Sequence, residues 1–298
     1  MKEHIALSVQ RERRCFLVVG GKDSNDVLKY DTAMKKSTVL TPLNKKRSSA
    51  CLARVGNYVY SIGGKVIWGS EVTDMVERLC YDDISSSWEN MASMNEKRCV
   101  AGAATIHDTI FVTGGVNETP VELSSAEYYN LAFDKWTPIA RMNHTRGAHV
   151  VVAVDNCLYS GAGHCDRTYL SSMERYDPRV GSWEMVAPME KGRRWPTATV
   201  VDGLIYVIGG DIGVRTDTRT VEIYDQRANA WFPGPGLIID RSAAASCTVR
   251  GKIYVLGGVE ENVTDTSVEC YDPATEKWTA ETNLPCFMLN LCVTMVTV

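Results

Sequence analysis

The chain has 298 residues, 45% of them hydrophobic, and 32 lysines and arginines against 36 acidic side chains. That supplies core for one large all-β domain or two average ones, and a net charge of −4 gives no field that would draw nucleic acid or an acidic membrane. No apolar run approaches the ~20 residues that span a bilayer.

Residues 1–14 read as a linker or N-terminal extension, crowded by Arg11, Arg13 and Arg14, with no apolar signal-peptide core. A strand follows from Cys15, "CFLVVGG", and then "KYDTAMKKS", with Tyr30, Asp31 and Ser37. That phrase recurs with a tryptophan in place of the serine, at Trp88, Trp136, Trp183, Trp231 and Trp278, every 47 or 48 residues. Seven residues before each stands a tyrosine: Tyr81, Tyr129, Tyr176, Tyr224 and Tyr271. Upstream lies a diglycine, from Gly20-Gly21 to Gly257-Gly258, written Ala162-Gly163 in the fourth copy. Each copy reads as four short strands. The first follows a recurring arginine, a tight turn such as Asp202-Gly203 leads to the second, the second ends in the diglycine, the third in Tyr-Asp, and the fourth starts at the tryptophan. The chain ends on "MLNLCVTMVTV", a first strand with no copy of its own to join. The first copy has no first strand. Residues 288–298 should therefore pair beside 15–21 and close a ring.

Six such copies predict an all-β fold: a six-bladed β-propeller over residues 15–298, four antiparallel strands per blade, closed by the C-terminal strand. The order diglycine, Tyr-Asp, Trp resembles the kelch repeat. Phrases such as "ERYDP", "VAPM" and "IYVLGG" are similar to the kelch domains of BTB-kelch proteins.

The chemistry of the repeats is structural. The diglycines lead into strands and not into a helix N-terminus, so they are no phosphate loop. The recurring Tyr and Trp read as blade packing. Glu127, Glu174, Glu222 and Glu269 recur two residues before the tyrosine, and Arg47, Arg98, Arg146, Arg193 and Arg241 before the first strand, which suggests ion pairs within or between blades. Some kelch-type propellers are copper oxidases, but the five histidines here (4, 107, 144, 149 and 164) have no ligand spacing. No nucleophile elbow, H-E-x-x-H or paired-carboxylate pattern appears. The expectation is a non-catalytic protein with no cofactor and no metal. Its ten cysteines lack a C-x-x-C pair and read as small buried hydrophobes of a reduced, cytoplasmic protein. The N-x-T triplets at Asn117, Asn143 and Asn262 read as chance matches.

A binding face is expected where the second-to-third loops meet the blade-to-blade loops, since both lie at one end of the ring and vary between copies. Two tryptophans break the repeat. Trp68 lies in the second copy's long loop, and Trp195 replaces Ser49, Val100, Ala148 and Ala243 of other copies. Trp and Arg dominate interface hot spots. Arg194 and Trp195 are therefore the first candidates, surrounded by Trp68, His164, Asp166, Arg167, Asp211 and Arg215. The resemblance adds positions that contact ligand in kelch-like relatives. After the diglycine these include Lys22 and Lys65, and after the recurring arginine Ser48 and Ser242. The tyrosines and most of the serines found there in some relatives are missing, which implies a different partner.

The resemblance implies the substrate-binding domain of a BTB-kelch adaptor of a cullin-RING ubiquitin ligase. A BTB domain outside this chain would bind cullin-3 and dimerise, and the propeller itself would be monomeric. Basic blade-to-blade loops such as "LNKKRSS" and "MEKGRRW" imply a partly acidic target peptide. The alternative is an actin-associated or scaffolding propeller with no role in turnover.

Overall fold

The computed structural model describes residues 14–19, 25–66, 71–83, 85–213, 218–260, 263–284 and 292–297. Among them it contains strands and no helix, in six four-stranded antiparallel sheets. Blades II to VI each run outward in chain order. Their innermost strands are Cys51–Val55, Gly102–Ile106, Val150–Val154, Thr197–Val201 and Ala245–Val249. Each joins the second strand through a two-residue turn, as between Val201 and Leu204. The innermost strands stand side by side round the ring, and Cys292–Thr297 takes the sixth place, between Ala245–Val249 and Cys51–Val55.

The terminal strand pairs antiparallel with Arg14–Val19, from Arg14 opposite Thr297 to Val19 opposite Cys292. The ring thus closes on the two ends of the chain, as the unmatched terminal strand implied. The first strand starts at Arg14, one residue before the expected boundary. Arg14–Val19 is therefore paired on both sides, and Cys292–Thr297 takes the inner edge of its sheet, as the first strand of each other blade does.

The core lies between blades. One cluster joins Tyr60, Ile62 and Val76 of blade II to Ile110, Val112, Tyr129 and Trp136 of blade III. Another joins Phe16, Leu28 and Tyr30 of blade I to Cys247, Leu256 and Val268 of blade VI. Innermost strands such as Cys51–Val55 and Val150–Val154 bury alternate residues, whereas second strands such as Cys157–Gly161, packed on both faces, are buried throughout. The five recurring tryptophans also staple blades together. Each indole N–H donates to the carbonyl of the residue just after the preceding blade's outer strand: Thr41 at 3.0 Å, Ala92 at 2.9 Å, Ala140 at 2.9 Å, Ala187 at 2.7 Å and Pro235 at 2.8 Å.

One sequence reading is corrected. In blade II the residue opposite Val59 is Leu79, which holds the place Tyr129 occupies opposite Ile110 in blade III. Tyr81 lies two residues beyond it, and its hydroxyl donates to the Gly56 carbonyl at 3.0 Å. The seven-residue spacing from Tyr81 to Trp88 therefore does not mark the repeat register. The correction brings in a fifth acid, Glu77, two residues before Leu79, and with it the ion-pair set is complete. Arg47–Glu77, Arg98–Glu127 and Arg146–Glu174 each measure 3.0 Å, Arg241–Glu269 2.9 Å, and Arg193 closes on Glu222.

Each pair ties a linker into its blade. The Arg146 guanidinium donates to the Ala162 and Ser172 carbonyls, and Glu174 accepts the Asn143 backbone N–H. Burial pulls Arg146 below the usual guanidinium range, and the Glu174 carboxylate opposes that shift. The diglycines let two backbones meet. Gly114 and Gly115 have φ of 56° and 98°, and a Cβ on Gly114 would lie 2.6 Å from the Arg146 carbonyl oxygen, to which the Gly115 N–H donates at 2.8 Å.

Candidate interaction site

The positions after the recurring arginines and after the diglycines converge on one face. Ser48 pairs with Lys65, Cys99 with Val116, Gly147 with His164, Arg194 with Asp211 and Ser242 with Val259. These short bridges ring the axis just outside the innermost strands. Sequence numbering alone separates their members by 17 residues, so the fold is what brings them together.

The Arg194 Nε donates to Asp211 Oδ2 at 2.8 Å, and Tyr169, on the neighbouring blade, donates to the same oxygen at 3.1 Å. The guanidinium also lies over the Tyr169 ring, 5.0 Å from its centroid. His164 stands 3.3 Å from Glu122, and Lys97 reaches Glu71 at 3.2 Å and Glu118 at 2.8 Å. Asp166 and Arg167 form the tip of a small hairpin between His164–Cys165 and Thr168–Tyr169, both with positive φ. Tyr169, Glu122 and Lys97 were not singled out in the sequence. Only Tyr169 left a signal there, as an aromatic in a polar loop. Lys22, Trp68 and Arg215 lie outside the described residues.

The basic character read from the linkers is mostly internal. Arg47, Arg98, Arg146, Arg193 and Arg241 are all at most 1% exposed and point into their blades. Arg194 and Lys97 are held by acids on the face itself. Lys45, Lys46, Lys65, Lys191, Arg167 and Arg219 remain as exposed cations without a carboxylate partner among the described residues.

Inside this rim the linkers form a second ring. The backbone N–H of Val100 donates to the Ser49 carbonyl, Ala148 to Val100, Trp195 to Ala148 and Ala243 to Trp195, at 2.9 to 3.1 Å. All five residues have φ between 46° and 56°, a left-handed conformation that costs non-glycine residues energy. Trp195 thus sits two residues before its innermost strand, at the mouth of the axial channel. It shares a cavity of about 100 Å³ there with Ala50, Val100, Ala101, Ala148, His149, Pro196, Ala243 and Ala244. Below, the channel is walled by small residues such as Gly102, Ala103 and Ala198.

His149 stands at the edge of this mouth and bonds Thr113 Oγ1 at 3.0 Å. Burial, with the Arg146 and Arg98 charges nearby, depresses its pKa to about 3, so the ring is neutral. Eight described cysteines are free thiols, and burial pushes Cys51 up to about 12. No group of three or more potential metal ligands occurs among the described residues, and no helix there is long and apolar enough to cross a membrane.

Known proteins share this architecture. Residues 3–210 match the family model described as the KLHDC2/KLHL20/DRC7 Kelch-repeats domain, and residues 193–238 and 240–285 each match the Kelch motif. Kelch-like protein 36 of Bos taurus is 29% identical over 215 residues, covering 68% of this chain and 34% of that protein. The Kelch repeat and BTB domain-containing protein F47D12.7 of Caenorhabditis elegans is 31% identical over 119 residues, covering 38% of this chain and 20% of that protein. The chain spans about a third of the length of Kelch-like protein 36. Among solved structures, that of YjhT superposes with a TM-score of 0.70 at 14% identity, over 83% of this chain and 88% of the other, a likeness of fold. By its repeats, its blade geometry and these matches, the chain belongs to the kelch-repeat family, as a kelch domain of a kelch-like protein.

Proposed function

We propose that this propeller is the target-recognition domain of a BTB-kelch adaptor for a cullin-RING ubiquitin ligase. It would hold a short, partly acidic segment of a target protein, while a BTB domain outside this chain recruits cullin-3 and dimerises. The observation that carries this reading is the converging ring of bridged positions around the axis. Arg194, Asp211, His164, Lys65, Ser48 and Ser242 all stand on that one face, on a rigid scaffold, where partners of such folds dock. The relative F47D12.7, whose name includes a BTB domain, supports the adaptor role. Lys45, Lys46, Lys65, Lys191, Arg167 and Arg219 are exposed cations able to meet a target's carboxylates. In this reading the propeller is a non-catalytic adaptor.

Affinity purification of the full-length protein under proteasome block tests it. Cullin-3 should co-purify, and targets should accumulate and be lost from Arg194→Ala. Capture of actin filaments without cullin-3, unchanged by proteasome block, would replace the ligase role with a cytoskeletal one.

A further inference from the structure

We infer that the axial mouth framed by Trp195 takes one apolar side chain of the bound peptide, with a carboxylate close by in sequence. This rests on reading the face as a peptide-binding surface and names what that surface selects.

The first argument is the state of the backbone. Around the mouth the N–H groups of Val100, Ala148, Trp195 and Ala243 are already given to the carbonyls of Ser49, Val100, Ala148 and Trp195. A phosphate or carboxylate lowered into the mouth would find none of these donors, and its desolvation would go uncompensated. The second argument is the lining. Alanines, Val100, Pro196 and Trp195 dominate it, Ser49 contributes a small neutral side chain, and the neutral His149 adds no charge.

The third argument is size. A cavity of about 100 Å³ is well below the roughly 300 Å³ at which small-molecule pockets begin, so it fits one side chain and not a cofactor. The fourth is charge. Lys65 is exposed on the surrounding ring and no carboxylate pairs with it among the described residues, whereas Arg194, His164 and Lys97 are each matched by one. A carboxylate flanking the apolar residue can therefore pair with Lys65 without breaking an existing contact. Trp195 is the side chain that distinguishes this mouth, because the equivalent residues of the other described linkers are Ser, Val and Ala. A large ring that loses few rotamers on binding is suited to such an anchor.

A random peptide library displayed on phage and selected on the folded propeller is the probe. Selected peptides should share one apolar residue with an acid within a few positions. By calorimetry, Trp195→Ala should weaken them about tenfold or more. Ala243→Leu fills the mouth from a ring position whose backbone already accommodates valine and tryptophan, and it should do the same with an unchanged melting temperature. Lys65→Ala should cost less and remove part of the salt dependence. Peptides that lose affinity with Arg194→Ala but keep it with both Trp195→Ala and Ala243→Leu would leave the face in place and overturn the anchor. Peptides indifferent to all four variants, or failure to select any, would overturn the reading of the face and the anchor with it.

Discussion

Five blade seams in this ring are closed alike, and the sixth, between blades VI and I, is built differently. At the five, an indole N–H reaches the preceding blade, and a tyrosine packs tilted against that indole within blades III to VI, with ring centroids 5.0 to 5.1 Å apart. At the sixth, Ser37 stands where the indole would be. Lys35 instead pairs with Glu281 at 2.5 Å, on the residue that corresponds to the carbonyl acceptors of the other seams. Phe16 stacks on Tyr30 at 4.8 Å and meets Tyr254 of blade VI at 5.9 Å.

The buried ion pair has also been exchanged in blade I. Leu28, 2% exposed, lies opposite Val18, where Glu127 lies opposite Val112 in blade III, and the repeat places Met288, outside the described residues, at the arginine position. Two charges have given way to two apolar groups together. That is physically coherent, because a lone buried charge is costly and an apolar pair of similar volume is not. The seam between blades VI and I relies on apolar and aromatic packing and the Lys35–Glu281 ion pair, where the others use an indole bond.

The comparison breaks most completely if the terminal strand is removed. Deleting residues 292–298 leaves Arg14–Val19 without its inner neighbour. The protein should lose its cooperative thermal transition and aggregate, and a soluble truncation melting like the full chain would refute closure by the C-terminal strand. Leu28→Glu tests whether blade I tolerates half of the ion pair that other blades carry. It buries an unmatched carboxylate and should cost about 5 kcal/mol in denaturant titration. An effect under about 1 kcal/mol would mean that a cation is within reach there.

At an ordinary seam, Trp136→Ala removes buried rings and the bond to Ala92. Chemical denaturation should show a loss of about 3–5 kcal/mol. A much smaller loss would reduce the indole staple to decoration.

The most gradual effect, small per pH unit, concerns pH at the seam between blades III and IV. His149 titrates near 3 when folded and near 6.5 when unfolded, so its contribution is complete above about pH 6.5. Below that the unfolded chain binds the proton first, and stability should fall by about 1.4 kcal/mol per pH unit toward pH 3. His149→Gln can keep the bond to Thr113, and its stability curve should be flatter over that window by this amount. Parallel curves would show that the buried ring is not what sets the slope.

Much of this was legible in the chain itself. The 47- or 48-residue period, the tight turns and the alternating strands fix blade number and strand order, because a repeat can bury its apolar faces only against copies of itself. The clasp was legible for the same reason: one strand too few at the start and one too many at the end. Where the reading slipped, at Tyr81, a local spacing matched by accident and only strand register could show that Leu79 holds the place. The candidate site was legible as a set of positions but not as an arrangement. Sequence placed Arg194 and Trp195 on the variable face. The chain could not show that the recurring arginines turn inward, that Asp211 and Tyr169 claim Arg194, or that the linker backbones bond to one another and leave an apolar mouth. Those outcomes depend on residues tens of positions apart meeting across blades. Local patterning fixes the shape of each blade, and only packing decides which charges stay free to bind.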